Sequence, residues 1–405
     1  MGSRIGWFAL GGLLSAGLLA SLYLLPPVRD RLEWRFDAAG GIVRGWLHPG
    51  DTLPTPIGYT TPRLTHTPAP TQTPAPTPLL TSTPTLTPTP LPSAVALAAP
   101  EWDKQDWNNC GPATLALGLR FYGWTGDQFD ISDLLKPDRG DKNVNVEELV
   151  YYVRTRAGWL SAEFRVGGDL PLLRRLIAAG YPVIVEKGYT IAEAGGGWAG
   201  HYLLLTGYDD ASQTFIVQDT NVGPNQRVAY QALDEGWRAF NRVYILIYPP
   251  DDQPTIEALL GIDTDPDTNR ERALEVARAE VENAPDDAYS WFNLGTNLLY
   301  FERYSEAAEA YDQALSIGLP WRFTRYQFGP YIAYFNTARY DDLIALADAT
   351  LYRTYKAEES LLWRGWALYR LGDIFGAIED FRSALEVNPN YLDAQYALEF
   401  VGSSP

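Results

Sequence analysis

Hydrophobic residues follow several distinct patterns along the chain, and the first is a long uncharged run. Ile5–Leu25 contains 21 residues without a charge and is ended by Pro26-Pro27. A helix of about 20 residues is about 30 Å long, which is the thickness of a bilayer core. The run predicts an N-terminal transmembrane helix within residues 1–50. We favour an uncleaved anchor over a cleaved signal peptide, because the run is long and no small-residue cleavage site follows it.

Residues 51–99 have almost no pattern that would bury a core. Thr52–Pro92 holds 14 Thr and 12 Pro in 41 residues, and Arg63 is its only formal charge. Proline biases such a chain toward extended polyproline II. The segment therefore predicts a disordered stalk, with a plain interdomain linker as the alternative. His48 and His66 lie beside and within it, and we assign them no function.

The charges next to the apolar run favour one membrane orientation and the stalk favours the other. Four arginines come after the run, at positions Arg29, Arg31, Arg35 and Arg44. By the positive-inside rule they favour a cytoplasmic location for the chain beyond the apolar run. A Thr/Pro stalk, in contrast, suits a spacer that holds a domain away from a membrane. We expect the globular regions to be extracytoplasmic.

Residues 100–250 combine helical periodicity with short β-rich runs. Apolar residues recur at helical spacing after Cys110, Pro112 fits the first turn, and Gly123 can end the helix. Further helices are predicted at Val144–Thr155 and Leu170–Ala179, and strands at Pro182–Glu186, Tyr202–Tyr208, Thr214–Gln218 and Arg242–Tyr248. Helices followed by an antiparallel sheet indicate an α+β domain.

Residues 267–405 repeat themselves, after an acidic linker at 251–266. Gly295, Ala307, Tyr311 and Ala314 recur 70 residues later as Gly365, Ala377, Phe381 and Ala384. A shift of 70 is twice 35, and this pattern of small and aromatic residues resembles tetratricopeptide repeats. The middle copy, Trp321–Thr354, is poor, because Gly329-Pro330 falls inside its first predicted helix. An all-α repeat domain that binds a protein or peptide partner is expected.

Charge and composition exclude several classes of function. The formal net charge of -18, from 32 basic and 50 acidic side chains, would repel nucleic acid. One cysteine and three histidines leave no basis for a disulfide framework or a multi-cysteine metal centre, and we expect no metal or cofactor.

The acidic charge is concentrated toward the C-terminus. From Asp251 onward there are 27 acidic and 12 basic residues. We favour a solvated acidic surface over a groove for a basic peptide. Asp263, Asp265 and Asp267 are interpreted as an acidic linker and helix cap rather than a calcium loop, because the required glycine and the glutamate at position 12 are missing.

Three residues indicate a candidate nucleophilic site. Cys110 is predicted at a helix N-terminus, where the dipole favours a thiolate. His201 opens one strand, and Asp219 ends the next strand 18 residues later, a separation that a hairpin can close. A thiol, an imidazole and an orienting carboxylate can carry nucleophilic catalysis. Asp209 is the alternative carboxylate, although it suits a turn better.

These residues carry a resemblance to a known family. Gln105-x4-Cys110-Gly111-Pro112-Ala113, Gly200-His201-Tyr202, Gly207-Tyr208-Asp209 and Asp219 resemble the papain-like cysteine peptidases related to the bacteriocin leader-processing, or double-glycine, peptidases. The resemblance covers about Trp102–Tyr248. It implies that Cys110 is the nucleophile, His201 the base and Asp219 its orienter. It also implies that Gln105 donates to the oxyanion, although many papain-like enzymes have one more residue between this glutamine and the cysteine.

Three further residues are candidates for substrate contact. Trp107 precedes the nucleophile, and Trp198 and Gly200 precede His201 within the glycine-rich segment Gly188–Gly200. This segment suits either a mobile flap over the substrate or a long hairpin connection, and Trp107 either lines the cleft or packs.

The whole sequence thus predicts a membrane-anchored, extracytoplasmic cysteine peptidase with an α+β papain-like domain and a repeat domain. Two other functions remain open. One is a catalytically silent protein that binds and displays peptides, and the other is an acyltransferase that uses the same residues.

We expect general proteases to cut the Thr/Pro stalk well before either globular region, because such a segment has no core to pack against. Limited proteolysis with mass mapping of the fragments measures this. A resistant core that still contains Thr67–Pro92 would contradict the stalk interpretation.

Overall fold

The computed structural model describes residues 39–40, 43, 52–56, 90–141, 143–191, 197–354 and 356–404. The predicted transmembrane helix Ile5–Leu25 lies outside these residues, as do residues 57–89 of the predicted stalk. Among the helices that are described, none has both the length and the apolar character needed to span a bilayer.

The described chain contains a mixed region followed by a helical region. The strands are β1 (Ala94–Ala96), β2 (Ser161–Arg165), β3 (Val183–Ile191), β4 (Gly197–Asp209), β5 (Thr214–Asp219), β6 (Gly223–Ala229) and β7 (Tyr244–Tyr248). The helices of the mixed region are α1 (Cys110–Phe121), α2 (Gln128–Leu135), α3 (Val146–Arg156), α4 (Leu170–Ala178), α5 (Tyr230–Trp237) and α6 (Gln253–Leu260). Those of the helical region are α7 (Pro266–Asn283), α8 (Ala288–Tyr300), α9 (Tyr304–Ile317), α10 (Gly329–Asn336), α11 (Tyr340–Arg353), α12 (Glu358–Leu371), α13 (Ile374–Val387) and α14 (Leu392–Phe400).

The strands form one antiparallel sheet in the order β2–β7–β3–β4–β5–β6, with β1 paired to β4. β3 pairs with β4 along its own whole length, from Val183 opposite Leu205 to Ile191 opposite Gly197. β5 pairs with β4 only from Leu204 onward. One edge of the first half of β4, residues 197–203, is therefore uncovered by any strand of the described chain.

Alternating residues of the central strands supply the cores on the two faces of the sheet. Val183 and Val185 pack with α4, α5 and α6, whereas Ile184 packs with α1, α2 and α3. Because successive side chains of a strand point to opposite faces, a continuous apolar run such as Val183–Val185 belongs to a strand that is buried on both sides. The predicted α+β class is confirmed.

Several elements differ from the prediction. β1 lies within the range 51–99 that we assigned to the stalk, and β2 lies between helices rather than after them. Residues 251–266, the predicted acidic linker, contain α6, whose Ile256 and Leu260 are buried in the core of the mixed region. Short apolar segments of this kind form a strand or helix only when they pack against other parts of the chain, so their local sequence patterns do not predict them.

The predicted repeats are present as pairs of antiparallel helices. A side chain at Gly295 of α8 would come within 2.7 Å of the Tyr311 ring on α9, and one at Gly365 would come within 2.5 Å of Phe381. Each glycine therefore makes room for the aromatic ring of its partner helix, which explains the recurrence after 70 residues. Asp265 caps α7 through the Thr268 amide, in agreement with the predicted helix cap.

The middle repeat begins later than predicted. α10 starts at Gly329 with Pro330 in its first turn, so this pair of residues opens the helix rather than interrupting it. The preceding residues 319–328 form an extended loop with one 3₁₀ turn, Phe323–Arg325. We call this segment the 319–328 loop. Leu53, from the start of the predicted stalk, is buried and donates its amide to the Leu319 carbonyl at 3.0 Å.

The mixed and helical regions share one hydrophobic core. Phe240 and Val243 of the mixed region belong to the same buried cluster as Phe292, Phe323 and residues of the repeat helices. The two regions are thus packed together rather than joined only by a linker.

A buried ion pair crosses this interface. Arg325 of the 319–328 loop is fully buried, and its Nη2 donates to Asp141 Oδ1 at 2.6 Å. Its Nη1 lies 3.5 Å from Glu359 Oε2 on α12. Removing one member of a buried pair leaves the other charge without compensation.

Replacing Arg325 with Ala is expected to lower the free energy of unfolding by about 3–5 kcal/mol, because Asp141 is then buried without its partner. Equilibrium urea unfolding measures this change. Arg278→Ala is the matched control, since Arg278 is more exposed and pairs only with Glu275 on its own helix, and it should cost less than about 1 kcal/mol. Equal effects in the two variants would show that the buried pair does not stabilise the interface.

Candidate active site

Cys110 is the first residue of α1, as predicted. Asn109 is the N-cap residue, and residues 111–119 are all buried, so α1 is enclosed on every side. Cys110 itself is only partly buried, at the end of the helix where backbone N–H groups have no helical partner. A helix N-terminus stabilises negative charge, which favours the thiolate form.

The loop before the nucleophile is held by Gln128 of α2. Its Oε1 accepts hydrogen bonds from the Asp106 amide at 2.7 Å and from Asn109 Nδ2 at 2.8 Å. Its Nε2 donates to the Lys104 carbonyl at 2.9 Å. This side chain therefore fixes residues 104–109 in front of Cys110. The sequence pattern gave no sign of this role for Gln128, because its loop partners are 19 or more residues away.

His201 and Asp219 are brought together by the β4–β5 hairpin. His201 Nε2 lies 2.9 Å from Asp219 Oδ1, and the histidine side chain is only 7% exposed. The same Oδ1 accepts hydrogen bonds from the amides of Asn221 at 2.9 Å and Val222 at 3.0 Å. The turn after β5 thus holds the carboxylate still. Because Nε2 faces Asp219, Nδ1 is the ring nitrogen left for the thiol.

The electrostatics of the site favour a charged thiol. Burial by itself raises the pKa of Cys110. Hydrogen bonding to His201 and the charge of its imidazolium lower the pKa, and together the lowering effects outweigh burial, so that the net pKa lies below the ordinary value of a thiol. The Tyr202 backbone also stabilises the thiolate by hydrogen bonding. A sulfur of this kind is a nucleophile at neutral pH.

The imidazole is correspondingly held in its charged form. Burial lowers the pKa of His201, but the hydrogen bonds to Asp219 and Cys110 outweigh it and raise the pKa to about 9. Burial raises the pKa of Asp219, yet its hydrogen bond and charge interaction with His201 bring the net pKa below the ordinary value. The three groups therefore favour a thiolate, an imidazolium and a carboxylate together.

Gln105 lies beside the same turn. Its backbone amide donates to the Thr220 carbonyl at 2.8 Å, and its side-chain Oε1 accepts from Thr220 Oγ1 at 2.9 Å. With Oε1 engaged, Nε2 is the end of the amide that can donate to another group. Thr220 comes directly after Asp219, so one turn orients both the carboxylate and this glutamine, a role that the sequence pattern did not indicate.

The other candidate site residues lie in three different environments: an exposed loop, an aromatic cluster and a hairpin turn. Trp107 is 43% exposed on the loop before Cys110, a position compatible with substrate contact. Trp198 instead packs among aromatic rings, 5.8 Å from Phe240 and 5.0 Å from Phe323 between centroids, so it contributes to the interface. Asp209 lies at the far end of β4 from His201 and accepts from the Ala211 amide at 3.0 Å within the hairpin turn.

The glycine-rich segment is largely a hairpin. Gly188 pairs with Gly200, and the pairing continues to Ile191 opposite Gly197. Residues 192–196 at its tip lie outside the described residues. A side chain at Gly200 would come within 2.7 Å of Phe240 and 3.0 Å of Tyr326, so this glycine is needed for close packing.

A cavity lies apart from these residues. It has a volume of about 390 Å³ and lies between α3, β2, α7 and α8, and none of Gln105, Cys110, His201 and Asp219 lines it. In the described part of the chain, no three His, Cys, Asp or Glu side chains are grouped so that they can hold a metal ion.

Both the mixed region and the helical region match models of known protein families. Residues 97–248 match the Peptidase_C39 like family, and residues 288–317 and 358–391 match tetratricopeptide repeats. The middle repeat, which the sequence pattern marked as poor, lies between these two matches. No curated protein matches the chain significantly.

Solved structures with similarity to the chain include two peptidases and a repeat protein. A putative C39-like peptidase from Bacillus anthracis is 17% identical, with 38% of this chain and 96% of that chain covered and a TM-score of 0.31. A double glycine motif protease from an AMS/PCAT transporter, in complex with the leader peptide, is 17% identical, with coverages of 38% and 94% and a TM-score of 0.29. YrrB, a tetratricopeptide-repeat protein with an unusual peptide-binding site, is 16% identical, with coverages of 32% and 84% and a TM-score of 0.19.

The family matches confirm the resemblance drawn from the sequence. The peptidase match spans β2–β7 together with α1–α5, and the repeat matches span α8–α9 and α12–α13. Residues 97–248 of this chain form a Peptidase_C39-like domain, and its C-terminal region contains tetratricopeptide repeats at residues 288–317 and 358–391.

Proposed function

We propose that the protein is a cysteine peptidase that hydrolyses peptide bonds with Cys110, His201 and Asp219. One observation carries this proposal: His201 Nε2 lies 2.9 Å from Asp219 Oδ1. The interactions of the same imidazole with Cys110, at a helix N-terminus, lower the pKa of the thiol. This arrangement lies inside a domain of the C39-like family. A silent peptide-binding domain has no need to lower the pKa of a thiol in this way.

The chemistry depends on the charges of the site. The Cys110 thiolate attacks the carbonyl carbon of the scissile peptide bond, and the carbonyl oxygen becomes an oxyanion. The Cys110 backbone N–H and Gln105 Nε2 are the donors for that oxyanion. The His201 imidazolium gives its proton to the leaving amine, the C–N bond breaks and a thioester remains.

Hydrolysis of the thioester restores the site. Neutral His201 takes a proton from a water molecule, whose oxygen attacks the thioester carbonyl. The C–S bond breaks, an acid is released, and the thiolate–imidazolium pair forms again. An acyltransferase would differ only in the second step, where an amine would replace water.

The flanking segments extend this proposal. We propose that the repeat region binds a protein or peptide, because stacked helix pairs provide extended binding surfaces. We also propose that Ile5–Leu25 anchors the chain in a membrane and that the Thr/Pro stalk holds the peptidase outside the cytoplasm. The uncharged apolar run and the composition of the stalk support this location.

Peptide cleavage should depend on the four residues of the site. Cys110→Ala is expected to lower kcat/KM by about 10⁴–10⁶-fold, since it removes the nucleophile. Gln105→Ala should lower kcat by about 10²–10³-fold, because one oxyanion donor is lost. The measurement is cleavage of a proteome-derived peptide library, read by mass spectrometry, and an added primary amine reveals any acyl transfer as new amide products.

Asp209→Asn is the matched control, because Asp209 lies in a turn at the far end of β4 and should leave cleavage unchanged. Cleavage that persists in Cys110→Ala would overturn the peptidase proposal. A wild-type protein that binds peptides from the library without cutting any would favour the silent display function.

The ionisation of the pair gives an independent prediction. Iodoacetamide reacts with the thiolate, so alkylation of Cys110 should continue well below pH 8.5, where an ordinary thiol is protonated. His201→Ala removes the two largest interactions that lower the Cys110 pKa and leaves the effect of burial, which raises it, so the rate profile should move toward alkaline pH. Asp219→Asn should move it less, because the carboxylate does not contact the sulfur.

The measurement is the alkylation rate of the three proteins from about pH 4 to pH 10. Since Cys110 is the only cysteine, every alkylation event reports this residue. Superimposed profiles for wild type and His201→Ala near the ordinary thiol pKa would show that the two residues do not form an ion pair.

A further inference from the structure

The strand that carries His201 has an edge that is covered by the repeat region. At Gly200, β4 pairs with Gly188 of β3 on one side, and β5 does not begin to pair on the other side until Leu204. Tyr326 of the 319–328 loop lies against Gly200, close enough that an added Cβ would be 3.0 Å from its ring. Burial raises the pKa of Tyr326, and hydrogen bonding from the Gly200 backbone lowers it only in part.

The next residue of β4 whose backbone N–H and C=O point to the uncovered edge is Tyr202. In a strand, the N–H groups of residues i and i+2 point to the same side, about 7 Å apart. Hydrogen bonding from the Tyr202 backbone is one of the effects that lower the pKa of Cys110. The Tyr202 carbonyl accepts from Thr114 Oγ1 of α1 at 3.3 Å. The edge of β4 is therefore held by Tyr326 at Gly200 and by the start of α1 at Tyr202, with His201 between the two.

The loop that carries Tyr326 is firmly anchored. The Tyr326 ring packs edge-on against Trp198 at 5.7 Å and against Phe240 at 6.0 Å between centroids. Its neighbour Arg325 is buried in the ion pair with Asp141. These contacts join the loop to the mixed region at Trp198 of β4, at Phe240 and at Asp141.

We propose that Tyr326 is a positioning residue of the peptidase site, which holds the Gly200 backbone so that His201 stays aligned with Cys110. This inference rests on the proposed peptidase function. It makes the repeat region a structural part of the active site, because full activation of the thiol requires the 319–328 loop to be docked on β4.

The test uses Tyr326→Phe, which keeps the ring and removes the hydroxyl. Loss of the hydroxyl beside Gly200 should move the alkylation profile of Cys110 toward alkaline pH and lower the rate at pH 6 by about 3- to 10-fold. Tyr326→Ala also removes the packing on Trp198 and should lower the rate further. All measurements use the full chain, with its melting temperature recorded alongside.

Tyr334→Phe is the matched control. Tyr334 is a buried tyrosine of the same region whose hydroxyl donates to Asp312 at 2.7 Å, away from β4. It is expected to lower the melting temperature without moving the alkylation profile. A profile shift in Tyr326→Phe alone supports the positioning role.

Three results would overturn the inference. If wild type shows an activated thiol and Tyr326→Phe has the same profile, Tyr326 does not position His201, and the peptidase proposal is unaffected. An equal shift in Tyr326→Phe and Tyr334→Phe would show only a general loosening of the repeats. A wild-type profile like that of an ordinary thiol would overturn the peptidase proposal and the positioning role together.

Discussion

The site depends on one contact, between the first turn of α1 and an edge of β4 that no described strand covers. The helix brings Cys110 and an N-terminal dipole to this edge, and the Tyr202 backbone stabilises the sulfur there. β5 begins to pair just beyond, which turns the chain back so that Asp219 reaches His201. A sheet that was fully paired along β4 would leave no space for the thiol beside the imidazole.

The same uncovered edge explains why the two regions form one body. Backbone groups on an open strand edge need partners, and burial without them is costly. The repeats cover this edge at Gly200 with the Tyr326 ring of the 319–328 loop, and they share a core with the mixed region around Phe240 and Phe323. The loop exists because α10 starts only at Gly329, so the irregular start of the middle repeat adds a contact with the mixed region, for example from Gln327 to the Ala239 carbonyl.

Local patterns predicted much of the fold. Alternating and continuous apolar runs located β3, β4, β5 and β7, and helical spacing located α1, α3 and α4. The recurrence of Gly295 and Tyr311 as Gly365 and Phe381 identified the repeats, because a glycine facing an aromatic ring is a local packing rule. β1 and α6 were missed, since each is short and is ordered mainly by partners elsewhere in the chain.

The sequence by itself determined which residues can do chemistry. A single cysteine at a helix start, one histidine in the mixed region and a carboxylate at a strand end leave few alternatives. Tertiary structure alone decided how they are arranged and what surrounds them. Gln128, Thr220 and Tyr326 act through contacts with residues distant in sequence, and Trp198 proved to be an interface residue. Such roles arise from packing between separate elements, and the periodicity of one element carries no information about which other element it will meet.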